Sequence, residues 1–457
     1  MPNFYTTSQG GAYNQFANPP VNVSLDNLRR GFGLSDRIAE LRPDMAPFFT
    51  WLAKMRKEGT NDPVFKMIEH RHQWQRRNFH VTPAIAAGTD ITTVGIVNKC
   101  YYDARGRKTP GTEHAPIFFV PGQVLAIENV TQGGVTGTLY ARVTNVPATG
   151  TVKVDPIYLL TSTGKTNVSA ETNTFAIPKG SRGQVIGTAY PEGSGAPDSW
   201  HDVMSSTEGY AQIFKTAGPL MSGSAMATEY RGVKNEFTRI WGEKMLEHKM
   251  DIEHAFLFGV GHVDTTAGAL NAVDGTNIER YTWGILPFVN IYGQNANFSY
   301  AASGYNDFVD WSQEMFAPEE GNSGKKLVLA SRKIVGWFNK LGNNSFLGNT
   351  LGNNANQLDI QNIKSRYGFK MTEISNVFGD YVFVQHPLFR EQWEDYGIVI
   401  DPKNVAYRPL QGNGISRDTF VETNVQNNDT DGRKDQILTE AGLQILLPET
   451  HAVVKWG

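Results

Sequence analysis

The densest run of chemically capable side chains is His70-Arg-His-Gln-Trp-Gln-Arg-Arg77, where an aromatic ring is interleaved with basic groups. Side chains of an extended segment alternate between faces. His70, His72, Trp74 and Arg76 therefore share one side, and Arg71, Gln73, Gln75 and Arg77 the other. Two histidines on one strand face begin a metal site, but no third ligand is evident in the sequence, and the pair reads as packed or solvent-facing. Basic groups around an aromatic also suit a nucleic-acid surface. The competing reading turns the arginines towards acidic patches of a neighbouring subunit.

Other candidates are weaker. His248 and His254 lie six apart on a predicted helix, about 240° around its axis, and cannot share an ion. Glu243, Glu247, Asp251 and Glu253 are interleaved with lysines and read as a salt-bridged surface. Gly321-Asn-Ser-Gly324-Lys325-Lys326 approaches a phosphate-cradling loop, with the wrong glycine spacing and no hydroxyl for magnesium, and it precedes a strand. Gly31-Phe-Gly33 and Gly259-Val-Gly261 are incomplete dinucleotide fingerprints. There is no G-x-S-x-G turn to activate a serine. Cys100 is the one cysteine, so neither an intrachain disulfide nor a cysteine-based zinc site can form. A glycosidase carboxylate pair has no positive support. No catalytic residue, metal ligand or cofactor is expected, and the chain is expected not to be an enzyme.

The chain has 457 residues, enough for two or three units of ~150 residues. Charged residues make up 19%, below the roughly 25% usual in globular chains. Forty-two basic against 45 acidic residues give a formal charge of −3, which excludes a strongly basic nucleic-acid binder and an acidic solvating tail. The first twenty residues lack the basic start and apolar run of a signal peptide. The longest uncharged stretch, residues 281–306, contains Pro287 and repeated Gly, Asn and Gln, and cannot supply the ~20 apolar residues that cross a bilayer. A soluble protein without membrane association is expected, made in a reducing compartment or indifferent to redox state.

The elements that must position these groups follow from patterning. The first thirty residues show no hydrophobic period and read as an arm without its own core. Ser24-Leu25-Asp26 opens a modest helix, and Pro47, Phe48, Trp51, Leu52 and Met55 mark a second that ends near Gly59. Residues 117–120, 124–128, 138–143, 151–154, 175–177 and 184–188 are short β-prone runs separated by turn residues, as in a small barrel or sandwich inserted into a longer hairpin. Val233, Phe237, Ile240, Trp241, Met245, Ile252, Ala255 and Phe256 form a helical stripe over about 231–259. The last third reads α/β. Residues 307–315 are helical, 327–330 a buried strand, and Ser331 caps a further helix. Gly379-Asp380 signals a two-residue hairpin, and 398–400, 405–407, 437–439, 443–447 and 452–454 are strands.

The ordered series of these parts resembles the major capsid proteins of tailed bacteriophages with the HK97-like fold, and more narrowly the subfamily of the long-headed short-tailed phage capsid proteins. The residues that carry it begin at Leu41-Arg-Pro43-Asp-Met-Ala-Pro47-Phe48, then Phe65 to Trp74 and Ala189-Tyr190-Pro191-Glu192-Gly193-Ser194. Glu229-Tyr230-Arg231 opens the long helix, Asp251-Ile-Glu253-His-Ala-Phe256-Leu-Phe-Gly259 closes it, and Arg280-Tyr-Thr-Trp283-Gly284-Ile285 follows. Arg366-Tyr367-Gly368, Phe378-Gly379, Val382-Phe-Val384, Ile398-Val-Ile400-Asp401, Thr439-Glu440-Ala-Gly-Leu443 and His451-Ala452 complete the series over about residues 25–457. The departure is residues 113–190, longer than a plain hairpin loop needs.

The resemblance implies an α+β HK97-like capsid fold. Residues 1–65 become an N-terminal arm, and 66–200 an extended loop with a β-barrel or sandwich insert at about 113–190. Residues 201–279 become a peripheral domain with the spine helix at about 231–259, 280–410 an α/β axial domain, and 411–457 strands returning to the peripheral and axial core. It implies a major capsid protein whose copies form the hexamers and pentamers of an icosahedral or prolate shell around a double-stranded DNA genome. Scaffolding, portal and decoration proteins are implied partners, packaged DNA would be touched non-specifically, and no membrane is involved. Its place would be the virion capsid, assembled in the bacterial host cytoplasm. Arg71, Trp74, Arg76, Arg77, Arg239 and Trp241 are the expected intersubunit contacts. The alternatives are an encapsulin-type compartment shell, a phage tail or decoration protein, and a secreted carbohydrate-binding or hydrolytic protein.

Overall fold

The computed structural model describes residues 46–72, 77–107, 111–167, 174–229, 235–264, 278–317, 321–338, 340, 359–363 and 371–457. The expected arm up to residue 45, with its modest helix, and Trp74 and Arg76 lie outside the described residues. The architecture is α+β and strand-rich, built on three hydrophobic cores.

The first core belongs to a barrel. Strands β2 (Asn78–Val81), β4 (Ile96–Lys99), β5 (Gln123–Gln132), β6 (Val135–Ala148), β7 (Thr151–Thr161) and β10 (Arg182–Thr188) pair in the order β10-β2-β4-β7-β6-β5. The ring closes because β10 also pairs with β5, from Gly183 opposite Ile127 to Thr188 opposite Gln123. Closure removes the edges that an open sheet would expose. Strands β3 (Ile85–Asp90) and β9 (Thr174–Ile177) extend it from β5, and β8 (Gly164–Asn167) from β7. Inward residues alternate with outward ones, so Leu125, Ile127, Leu139, Ala141, Val152 and Val154 fill the interior with Phe175. The β unit thus draws on strands from Asn78 onward, ahead of the expected start at about 113.

The barrel joins the rest of the chain through an antiparallel ribbon, β1 (Val64–Glu69) against β11 (Ser205–Tyr210), whose last pair is Glu69 opposite Ser205. Beyond it lies a seven-stranded sheet ordered β15-β26-β20-β16-β19-β18-β17. Its members are β15 (Gln294–Phe298), β16 (Lys325–Ala330), β17 (Asp359–Ile363), β18 (Met371–Ser375), β19 (Asp380–Gln385), β20 (Tyr396–Ile400) and β26 (Ala452–Trp456). Both faces of its centre are buried. Leu327, Leu329, Val382, Val384, Ile398 and Ile400 face one core, and Val328, Ala330, Tyr381, Phe383 and Val399 the other. Burial on both faces explains why these strands read as unbroken apolar runs. The second face is covered by α5 (Tyr305–Met315) and by α6, residues 332–338, whose Ile334 amide donates to Ser331 Oγ.

The other face packs against a sheet of β12 (Gln212–Ala217), β25 (Gln436–Ile445), β21 (Val405–Pro409) and β24 (Phe420–Glu422), with three helices between. Helix α1 (Pro47–Met55) starts on a proline, where a missing N–H costs nothing, and buries Phe48, Phe49, Trp51 and Leu52. Helix α3 (Glu236–Phe258) has 23 residues and is about 35 Å long. Asn235 caps it by accepting the Thr238 amide. Helix α4 (Ile285–Tyr292) follows at a tight contact, since a Cβ on Gly284 would lie 2.4 Å from the Gly259 nitrogen.

Three local expectations change. The buried face of α3 consists of His248, Ile252, Glu253, Phe256 and Leu257, whereas Met245 is exposed. Glu253 is therefore interior, not part of a salt-bridged surface, because backbone amides of α1 reach it. The expected strands 437–439 and 443–447 are one strand, continuous through Gly442, where a Cβ would lie 2.4 Å from the Tyr210 carbonyl oxygen. Residues 376–379 form a four-residue turn in place of a two-residue one, because Asn376 Oδ1 accepts the amides of Phe378 and Gly379.

Candidate assembly surface

The ribbon β1–β11 leads from the α/β body to the barrel, and its Glu69 end is held to the body by charge. Glu69 accepts Arg71 Nη1 at 2.8 Å and the Leu447 amide at 2.6 Å, and Arg107 Nη2 lies 3.5 Å away. Arg71 also reaches Glu449 at 2.8 Å and Ser205 Oγ at 3.0 Å. Burial alone would lower the Arg71 pKa, but Glu449 and Glu69 outweigh it and raise it above the ordinary value. Arg71 thus spends its guanidinium inside its own chain, tying ribbon to body.

The other expected contact residues sit apart. Arg77 takes a left-handed backbone, φ 42°, and lies 5.6 Å over the Trp200 ring at the barrel base. Arg239 is on α3, bonded to Glu236 and Glu243 one turn either side, and its bonds hold the Glu236 carboxyl below the usual range. Trp241 is half-buried, stacks on Phe237 with rings 4° apart, and lies against Gly218. Arg433 covers the far side of Phe237 at 5.0 Å. The structure therefore does not gather these residues into one patch. Two belong to the ribbon and barrel base, and two to the first turns of α3.

Sequence reasoning missed the exposed apolar groups, because a solitary hydrophobic residue in a strand reads as core. Ile68 and Met204 are each 63% exposed at the ribbon's end, Val377 is 89% exposed on the β18–β19 turn, and Ile415 is 66% exposed. Ile415 lies on a small hairpin of β22 (Gln411–Gly412) and β23 (Ile415–Ser416). Ile291 and Tyr292 at the end of α4 are also exposed. They lie exposed on separate elements, where a neighbouring chain could cover them.

Two histidine clusters, one buried and one exposed, complete the inventory. His248 is buried and hydrogen-bonded on both sides, Nδ1 to Thr216 Oγ1 at 2.9 Å and Nε2 to Thr439 Oγ1 at 2.7 Å. His254 is exposed on another side of the helix, so the two share no ion. At the ribbon's end His70 and His72 stack edge to face, 4.4 Å between centroids, and Asp202 comes within 3.6 Å of His72. Asp202, which the sequence did not place beside this pair, arrives from 130 positions further along the chain than His72. A cleft of about 370 Å³ beside the ends of β16 and β19 is lined by Arg332, His386, Arg390 and Glu394 among others. No helix among the described residues is long and apolar enough to cross a membrane.

Among curated proteins, none matches the chain. Solved structures similar to it include the capsid of a native GTA particle, 9% identical with a TM-score of 0.39, covering 95% of this chain and 98% of that one. A Mycobacterium phage Patience chain is 10% identical with a TM-score of 0.36, covering 59% and 76%. The holo-SrpI encapsulin complex of Synechococcus elongatus PCC 7942 is 10% identical with a TM-score of 0.36, covering 55% and 75%. The assignment rests instead on a family match that runs over residues 7–456 and so takes in barrel, ribbon, helix α3 and both sheets: the chain belongs to the SU10 major capsid protein family.

Proposed function

We propose that copies of this protein tile a closed shell, as hexamers and pentamers of an icosahedral or prolate head around the double-stranded DNA of a tailed bacteriophage. The observation that carries this reading is the family match over nearly the whole chain. The physical form agrees with it. One subunit buries three cores, yet leaves large apolar side chains at the tips of the ribbon, the β18–β19 turn and the β22–β23 hairpin. Contacts repeated by symmetry would cover them, and obligate interfaces commonly bury ~2,000–5,000 Å². A formal charge of −3 lets copies approach without strong mutual repulsion and tolerates packaged DNA without gripping it.

In this reading residues 1–65 cross neighbouring subunits, 66–200 are the extended loop, and 201–279 carry the spine in the peripheral domain. Residues 280–410 form the axial domain, and 411–457 return to the core. The barrel would be a surface ornament or an intersubunit clasp. Scaffolding, portal and decoration proteins would be transient or late partners, and assembly would take place in the bacterial cytoplasm.

The test is negative-stain microscopy of the protein expressed alone and with co-expressed head proteins. Closed particles of uniform curvature are expected. A well-folded monomer at every concentration and salt level overturns the reading. Small fixed oligomers would favour a tail or decoration protein, and shells that co-purify with an enzyme cargo would favour an encapsulin-type compartment.

A further inference from the structure

We propose that His70, His72 and Asp202 form a binding site for a borderline divalent transition cation, zinc foremost, that clips together the two chain crossings between barrel and body. The three ligand atoms lie within 4.8 Å of one another. Zinc bonds of about 2.0–2.1 Å place tetrahedral ligand atoms about 3.4 Å apart. The cluster therefore needs to close by at most about 1.4 Å, which rotation of two exposed imidazoles supplies.

The donor set chooses the ion. Two imidazole nitrogens and one carboxylate oxygen suit zinc, cobalt or nickel, whereas calcium and magnesium require mostly oxygen ligands. Asp202 is the fixed member, its side chain only 6% exposed, while that of His72 is 51% exposed. A carboxylate already immobilised loses little entropy on binding. The solvent-facing histidines leave a fourth position open to water. Among the described residues, the adjacent Arg71 does not compete for this carboxylate, because it is turned to Glu69 and Glu449 at 2.8 Å each.

Position gives the site its consequence. The β1–β11 ladder ends at Glu69 opposite Ser205, so His70 and His72 lie just past it on the outgoing strand and Asp202 just before it on the returning one. Chain continuity links the barrel to the body only through these two crossings. A bound ion would cross-link them and set the angle at which the barrel stands.

The experiment is titration of the full-length, metal-stripped protein with Co²⁺, followed by its visible absorption and by displacement with Zn²⁺. One equivalent per chain is expected, with the intense bands of a four-coordinate site. H72A and D202N should each weaken binding at least about tenfold, while H254A, on the exposed side of α3, leaves it unchanged. Zinc should also slow hydrogen exchange at residues 70–72 and 201–205 in the parent chain and not in H72A. Absence of a saturable equivalent, or binding indifferent to H72A, overturns the proposal. Should D202N fail to fold, H70A and H72A carry the test, since both alter exposed side chains.

Discussion

Glu253 and His386 meet at 2.5 Å, Oε1 to Nε2, with neither side chain exposed to solvent. The same carboxylate accepts the Phe48 amide at 2.8 Å and the Phe49 amide at 2.5 Å, at the first turn of α1. Because His386 Nδ1 accepts the Leu388 amide at 3.2 Å, the ring proton sits on Nε2 and is donated to Glu253. One side chain of α3 thus satisfies orphan amides of α1 and anchors the end of β19. It joins three parts of the chain that are distant in sequence.

Replacing this hub should detach α1. In E253Q the amide turns an NH₂ towards a group that needs an acceptor, and a hydrogen bond to a charge is worth about 1.5–3 kcal/mol. Denaturant unfolding should show a loss of that order, and hydrogen exchange should show Phe48–Leu52 unprotected. Unchanged protection of these amides would contradict the role.

A second interior charge pair makes a different prediction. Lys326 and Asp401 are fully buried at 2.9 Å, and Lys326 Nζ also donates to Asn322 Oδ1 at 2.5 Å and the Thr450 carbonyl at 2.8 Å. K326M strands a buried carboxylate and should cost about 3–5 kcal/mol. Adding D401N should recover part of that loss, so the double-mutant cycle should be non-additive.

Acid should weaken the fold before the carboxylates titrate. Burial pushes His451 down from 6.5 to about 3, with Lys326 adding to the effect and Asp401 opposing it. The geometry agrees, since Nδ1 accepts the Asp401 amide at 3.0 Å and Nε2 faces the Leu446 carbonyl at 3.2 Å, leaving no site for a second proton. Burial also lowers His248. Between about 6.5 and 3 the unfolded chain binds protons that the folded one does not. For His451, stability is therefore full above that window and falls as the pH drops through it, at about 1.4 kcal/mol per pH unit, and His248 contributes in the same direction. Chemical denaturation at about pH 7.5, above the window, and at about 6 and 4.5, within it, should reveal this slope, and His451→Gln should reduce it.

The barrel should lose stability separately from the body. Phe175 is fully buried in the barrel core, which shares no residue with the other two. Phe175→Ala should cost about 3–5 kcal/mol. Hydrogen exchange should then show protection lost in β5, β6 and β7 while β20 and β25 keep theirs. Equal loss in all strands would mean that the cores unfold as one.

Much of the architecture is legible in local pattern. The Pro47 start of α1, the long helix ending at Gly259, the Ser331 cap and the apolar runs at 327–330 and 398–400 coincide with elements of the structure. Each depends on propensity, capping or hydrophobic periodicity within a few turns, which neighbouring residues decide. The class of the protein was reached differently, through the resemblance of the ordered series of such elements to a known family.

The polar interior was not legible. Glu253, His248, Lys326 and Asp401 look like surface residues when read along the chain, since no local rule shows that amides of α1, a threonine of β25 or the Thr450 carbonyl will arrive to satisfy them. The same holds for Asp202 beside His70 and His72, and for Arg71 turning inward to Glu449. Burial of a charge is favourable only when its partners are supplied from elsewhere. Tertiary structure alone could decide these placements, because the interacting groups lie far apart in the chain, from 75 residues for Lys326 and Asp401 to 378 for Glu69 and Leu447.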